Sequence, residues 1–174
     1  PRWRRGNHSE TAFVAPGREK AIRDAAVLRE DIAGLMARLL EQIGARDVRV
    51  GPPPGIPAFP SEDKSVSWRA EGLQGEIQVW AGKSARALTE RIIGSSPGCK
   101  KRPAGSAGRR DAIVFEVVEC VDPVGTRRIA LVVMPRAKGG IYLISVQTKD
   151  PASPDAVDRL GERLAAAARR TVLR

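Results

Sequence analysis

Residues 111–174 constrain the fold most, because three apolar, β-branched runs separated by turn chemistry lead into one strongly marked helix. Ala112-Ile113-Val114-Phe115-Glu116-Val117-Val118-Glu119-Cys120-Val121 reads as a strand, closed by Asp122-Pro123-Val124-Gly125. The chain returns through Arg128-Ile129-Ala130-Leu131-Val132-Val133-Met134, turns over residues 135–140, and runs out again as Ile141-Tyr142-Leu143-Ile144-Ser145-Val146-Gln147-Thr148. This spacing predicts an antiparallel meander. Its near-continuous apolar character predicts helical cover over much of both faces, since a half-solvated sheet alternates polar and apolar residues more cleanly. The closing helix carries Ser153 as N-cap, Pro154 at the first helical position and Asp155 in the first turn, where the macrodipole favours negative charge. Val157, Leu160, Leu164 and Ala168 form its buried stripe and leave Arg159, Glu162, Arg163 and Arg170 toward water.

Upstream, residues 64–71, where Val66, Trp68 and Ala70 alternate with Ser67 and Arg69, predict a hairpin with residues 76–81, turned near 72–75. A short helix is expected over 84–93, with Ser84 as N-cap, Ala85, Leu88 and Ile92 on one face and Gly94 as the stop. The longest helix is expected over 18–43. Ile22, Ala25, Leu28, Ile32, Leu35, Met36, Leu39 and Ile43 keep a helical period, and Gly44 ends it. Such a helix covers a whole sheet or pairs with a second copy. Glu19 and Arg23, with Glu30, Asp31, Arg38 and Glu41, make its other side a solvated face.

The chain has 174 residues, 42% hydrophobic and 29% charged, which suits one domain with a substantial core. The organisation expected is a flexible basic arm over 1–15 and a single α/β domain over 16–174: an antiparallel sheet flanked by helices as an α/β/α sandwich. Residues 51–60, with Pro52-Pro53-Pro54, read as a stiff connector. No apolar run approaches the ~18 residues of a membrane span.

The order of these elements, hairpin, short helix, meander and closing helix, resembles the PsbP-like α/β/α superfamily. So does Gly139-Gly140-Ile141-Tyr142-Leu143-Ile144-Ser145-Val146 leading into a proline-marked helix start. The resemblance covers about two thirds of the chain, while the long first helix departs from the usual opening. That superfamily includes an extrinsic subunit of the oxygen-evolving complex, a Ran-binding import factor and many bacterial lipoproteins. It implies an accessory or binding role, and it favours an extracytoplasmic, periplasmic setting over a cytoplasmic one.

Charge is the strongest chemical signal, at net +10. Residues 94–110 read as a flexible loop with five cations, Lys100, Lys101, Arg102, Arg109 and Arg110, and no acid. Arg127, Arg128, Arg136 and Lys138 decorate the hairpin turns, and Arg2, Arg4 and Arg5 form a second cluster. Such a loop suits an acidic protein surface, or a nucleic acid or other polyanion bound with steep salt dependence. Aromatic residues make up only 4% of the chain, too few for a row of base-stacking platforms.

Catalytic constellations are scarce. His8 is the lone histidine. Cys99, beside Lys100, Lys101 and Arg102, is the best nucleophile candidate, because cations lower a thiol pKa. A structural or incidental thiol is the competing reading; a disulfide with Cys120 is allowed but not required, and Cys120 itself sits among valines as a small apolar residue. The sequence therefore predicts a non-enzymatic accessory or scaffolding protein of a larger bacterial assembly, without cofactor or metal. Its contact residues would be Lys100, Lys101, Arg102, Arg109, Arg110, Arg127 and Arg128. Polyanion binding through the basic loop is the alternative, and a thiol-dependent enzyme at Cys99 a third.

Overall fold

A computed structural model of the chain describes residues 16–51, 64–81, 85–94, 98–102, 113–123, 125–148 and 154–172. In chain order the elements are α1 (Pro16–Gln42), β1 (Arg49–Gly51), β2 (Ser65–Ala70), β3 (Leu73–Trp80), α2 (Ala85–Gly94), β4 (Cys99–Arg102), β5 (Val114–Asp122), β6 (Gly125–Pro135), β7 (Ile141–Gln147) and α3 (Pro154–Val172). The strands form one antiparallel sheet in the order β1-β2-β3-β7-β6-β5-β4. The hairpin β2–β3 and the meander β5–β6–β7 are thus joined where β3 meets β7, with Ile77 opposite Ile144.

The two long helices share one face, called here the inner face. α1 packs over β1–β3 and α3 over β5–β7. Ile32, Met36 and Leu39 of α1 and Val157, Leu160 and Leu164 of α3 meet Val66, Trp68, Ile77, Phe115, Val132 and Ile144 in one core. The α3 stripe is buried as its spacing predicts, and Gly161 lets the helix approach closely. A Cβ there would lie 2.6 Å from the Ala130 Cβ and 2.8 Å from the Phe115 ring. Arg163, expected to face water, keeps its side chain 41% exposed and at the same time holds Glu71 at 2.9 Å and donates to the Ile43 carbonyl, tying α3 to the β2–β3 turn and the end of α1. In α1 the buried stripe begins at Ile32, and Ile22 is 52% exposed, so only the second half of the helix covers the sheet.

The outer face is covered unevenly. Leu88 of α2 packs with Val118, Leu131, Val133 and Leu143, and Arg91 stacks 5.9 Å from the Trp80 ring centroid. The side chains of Ala85 and Ile92, expected beside Leu88, lie outside the described ones. Over β1–β3 and the end of β7 this face carries Ser67, Arg69, Gln74, Glu76, Ser145 and Gln147, all exposed or half-buried. Apolar cover on both faces is expected of the meander and holds over most of it, whereas β2 shows the alternation of a half-solvated strand that Val66, Trp68 and Ala70 between Ser67 and Arg69 predict.

Three local expectations change. The β2–β3 turn is the two-residue Glu71-Gly72, both left-handed with φ of 54° and 75° as a type I′ hairpin turn requires, so Gly75 lies inside β3 and not in the turn. Gly51, assigned to the connector, pairs with Ser67 as the last residue of β1; residues 52–60 of that connector and the 1–15 arm lie outside the described residues. Cys99-Lys100-Lys101-Arg102, expected in a flexible loop, form the edge strand β4.

Candidate functional site

β4 owes its place to β5. The register sets Cys99 opposite Cys120, Lys100 opposite Glu119, Lys101 opposite Val118 and Arg102 opposite Val117. The Val121 N–H donates to the Gly98 carbonyl at 3.0 Å, which makes Cys99↔Cys120 a non-hydrogen-bonded pair, the kind in which opposed side chains come closest. A disulfide joins these two cysteines, with 3.9 Å between their Cα atoms. Cys99 is therefore not a thiol in this structure, which removes the nucleophile considered there as a third reading. By the same alternation, Lys100 and Arg102 turn their backbone groups toward β5, whereas Cys99 and Lys101 turn theirs to the outer edge. No described residue pairs with that edge.

The pleat also divides the cations. Lys101 lies on the outer face, 3.1 Å from Glu116, and Arg102 lies on the inner face, 3.3 Å from Glu119. Arg128 is not a turn decoration. It is a strand residue of β6 whose side chain is 12% exposed, and it reaches Glu119 at 3.5 Å, Asp158 at 3.0 Å and Asp155 at 3.7 Å. It thereby ties β5 and β6 to the start of α3. Burial pushes the Asp158 carboxyl above its ordinary pKa by more than the adjacent Arg128 guanidinium pulls it down; Asp155 adds to the rise and Arg102 opposes it.

Five of the seven expected contact residues, Lys100, Lys101, Arg102, Arg127 and Arg128, thus gather at one end of the sheet. Arg109 and Arg110 lie outside the described residues. Glu116 and Glu119 interleave with the cluster, so its exposed cations without a carboxylate partner among the described residues are Lys100 and Arg127. No sequence signal announces this pairing, because Glu116 stands 15 positions from Lys101 and Glu119 stands 17 from Arg102, and the strand register alone brings them together.

A second feature has no signature in the sequence. Between the middle of α1, the β6–β7 turn and the end of α3 opens a cleft of about 550 Å³. Leu35, Met134, Pro135 and Val172 give it an apolar lining, and Arg38, Arg136, Lys138, Glu30 and Asp31 supply charge. Arg136 stacks 5.9 Å from the Tyr142 ring centroid, and its turn is closed by the Arg136 N–H donating to the Gly140 carbonyl at 3.1 Å.

Among the described residues no group of three or more His, Cys, Asp and Glu side chains is placed to hold a metal ion. No described helix is long and apolar enough to cross a membrane. No protein-family model, curated protein or solved structure matches this chain.

Proposed function

We propose that this protein is a non-enzymatic recognition subunit of a larger assembly, and that it docks an acidic, extended segment of a partner protein along the outer edge of β4. The observation that carries the reading is the edge itself. Cys99 and Lys101 offer backbone donors and acceptors, while Lys100, Lys101 and Arg102 put positive charge on both sides of the strand. An added strand would take main-chain hydrogen bonds for affinity and alternate side chains for specificity. Partial neutralisation by Glu116 and Glu119 favours a short acidic strand over a long polyanion, which would want an unbroken run of cations.

The Cys99–Cys120 bond supports an oxidising, extracytoplasmic setting, where disulfides form and persist. The accessory roles of PsbP-like proteins, which this chain resembles in element order, agree with that reading. A protein recovered from its native cell with both cysteines alkylatable before reduction would count against the compartment.

The docking test uses a proline. Lys101→Pro removes an outward N–H and leaves the β4–β5 ladder intact, because the Lys101 N–H does not face β5. Lys101→Ala removes the same charge and keeps the donor. Labelled acidic strand-forming peptides should bind the Lys101→Ala variant at least ten-fold more tightly than Lys101→Pro. Equal affinities would overturn the edge-docking reading. Heparin or DNA binding that falls steeply with salt and ignores the proline would favour the polyanion reading instead.

A further inference from the structure

We propose that the cleft between α1, the β6–β7 turn and the end of α3 is a binding site for a small amphipathic monocarboxylate. Its size falls in the range of ligand pockets, roughly 300–1,000 Å³. Two guanidinium groups stand in it without a counterion: neither Arg38 nor Arg136 has a carboxylate partner among the described residues, although Glu30 and Asp31 line the same cleft. Asp31 is instead engaged by Lys138, 3.8 Å away across the rim. The Arg136 Nε is buried and has no hydrogen-bond partner. With the Nε enclosed by protein, a carboxylate in the cleft would meet the terminal nitrogens of this guanidinium. The Tyr142 ring beneath the guanidinium restrains its plane, and a restrained arginine fork matches a carboxylate bidentately.

Charge and lining narrow the ligand. Three cations against two carboxylates leave one positive charge in excess, which suits a monoanion; a phosphate dianion would meet Glu30 and Asp31 with charge to spare. Leu35 and Met134, 6% and 3% exposed, give the floor an apolar surface for the ligand body. Arg136 and Arg38 would hold the carboxylate, and the chain or ring would lie over Leu35, Met134 and Val172.

The site lies apart from β4 and stands or falls independently of edge docking. Its test is calorimetric titration of the whole protein with linear monocarboxylates from acetate to dodecanoate and with phenylacetate, beside 1-octanol and inorganic phosphate. Octanoate or phenylacetate should bind saturably and at least ten-fold more tightly than 1-octanol. Arg136→Gln should weaken this at least ten-fold and Arg38→Gln several-fold. Gly34→Leu should abolish it by filling the cleft. That last variant will fold, because a Cβ at Gly34 meets only the Arg38 Nη1, at an ordinary 3.5 Å; a cooperative melt confirms this. The proposal is overturned if no acid of the series binds, if 1-octanol binds as tightly as octanoate, if phosphate binds more tightly than either, or if Arg136→Gln leaves the affinity unchanged.

Discussion

The two faces of the sheet are stabilised by different means. On the inner face, α1 and α3 lay a continuous stripe of aliphatic side chains over β2, β3 and β5–β7, and the side chains interlock. On the outer face, a ten-residue helix covers the meander end, a disulfide fastens the edge strand beneath it, and the other end is polar. A packed face tolerates little change in volume. A face closed by one helix and one covalent bond tolerates more, and among the described residues it leaves polar sheet surface and the outer edge of β4 uncovered.

The sharpest attempt to break that contrast is Gly75→Ala. Gly75 lies between Trp68 and Val146 in the ladder, and the Trp68 ring occupies the space over it. A Cβ there would collide with the Ser145 carbonyl oxygen and the indole together. Backbone on one side and a fully buried ring on the other leave nothing to give way, so the loss should exceed ~4 kcal/mol and the variant should fail to fold. A soluble Gly75→Ala protein that melts within a few degrees of the original would mean the inner face repacks freely. Ile144→Ala comes next, at about 4 kcal/mol by urea denaturation, because Ile144 is wholly buried between both helices' stripes.

The outer face should yield smaller numbers. Replacing both Cys99 and Cys120 by Ala removes a link across a sequence separation of 21 and should cost about 3 kcal/mol on the chain-entropy account. No measurable loss would mean that the ladder to β5 holds β4 unaided. Leu88→Ala should cost about 2 kcal/mol, since Leu88 is 7% exposed and its surroundings can settle toward the sheet. A Leu88 effect as large as that of Ile144 would erase the distinction between the faces.

The same contrast explains what could be read from the residues alone. Inner-face elements announce themselves: Val157, Leu160, Leu164 and Ala168 repeat with the helical period, and each is buried. Residues 99–102 announce nothing, because Cys-Lys-Lys-Arg has no apolar alternation and becomes a strand through its register with β5 and its bond to Cys120. Arg49-Val50-Gly51 is too short to carry a pattern, yet it pairs with β2. The cationic site was half legible. Composition located the cations, but only the fold sets Glu116 and Glu119 among them. The cleft was not legible at all, since Asp31, Arg136 and Val172 come from three distant stretches of chain that topology brings to one place.

The smallest effect concerns pH, at the seam where the inner-face helix α3 meets the cationic edge. The Asp158 pKa is raised by burial, so the folded state holds that proton more tightly than the unfolded chain does. The stabilisation from Asp158 is then full below its unfolded value of about pH 4 and is lost as pH rises through the higher folded value. An Asn at this position does not ionise, so the stability of Asp158→Asn relative to the parent chain should rise with pH across that window and level off above it. Urea midpoints from about pH 3.5 to 6.5 measure this directly, with Asp155→Asn as a comparison at the neighbouring, more exposed carboxylate. A relative stability that instead falls with pH would show that attraction to Arg128 outweighs burial. In that case the Arg128 cluster would be an electrostatic clasp between the edge and α3, and the packed face would owe part of its hold to charge.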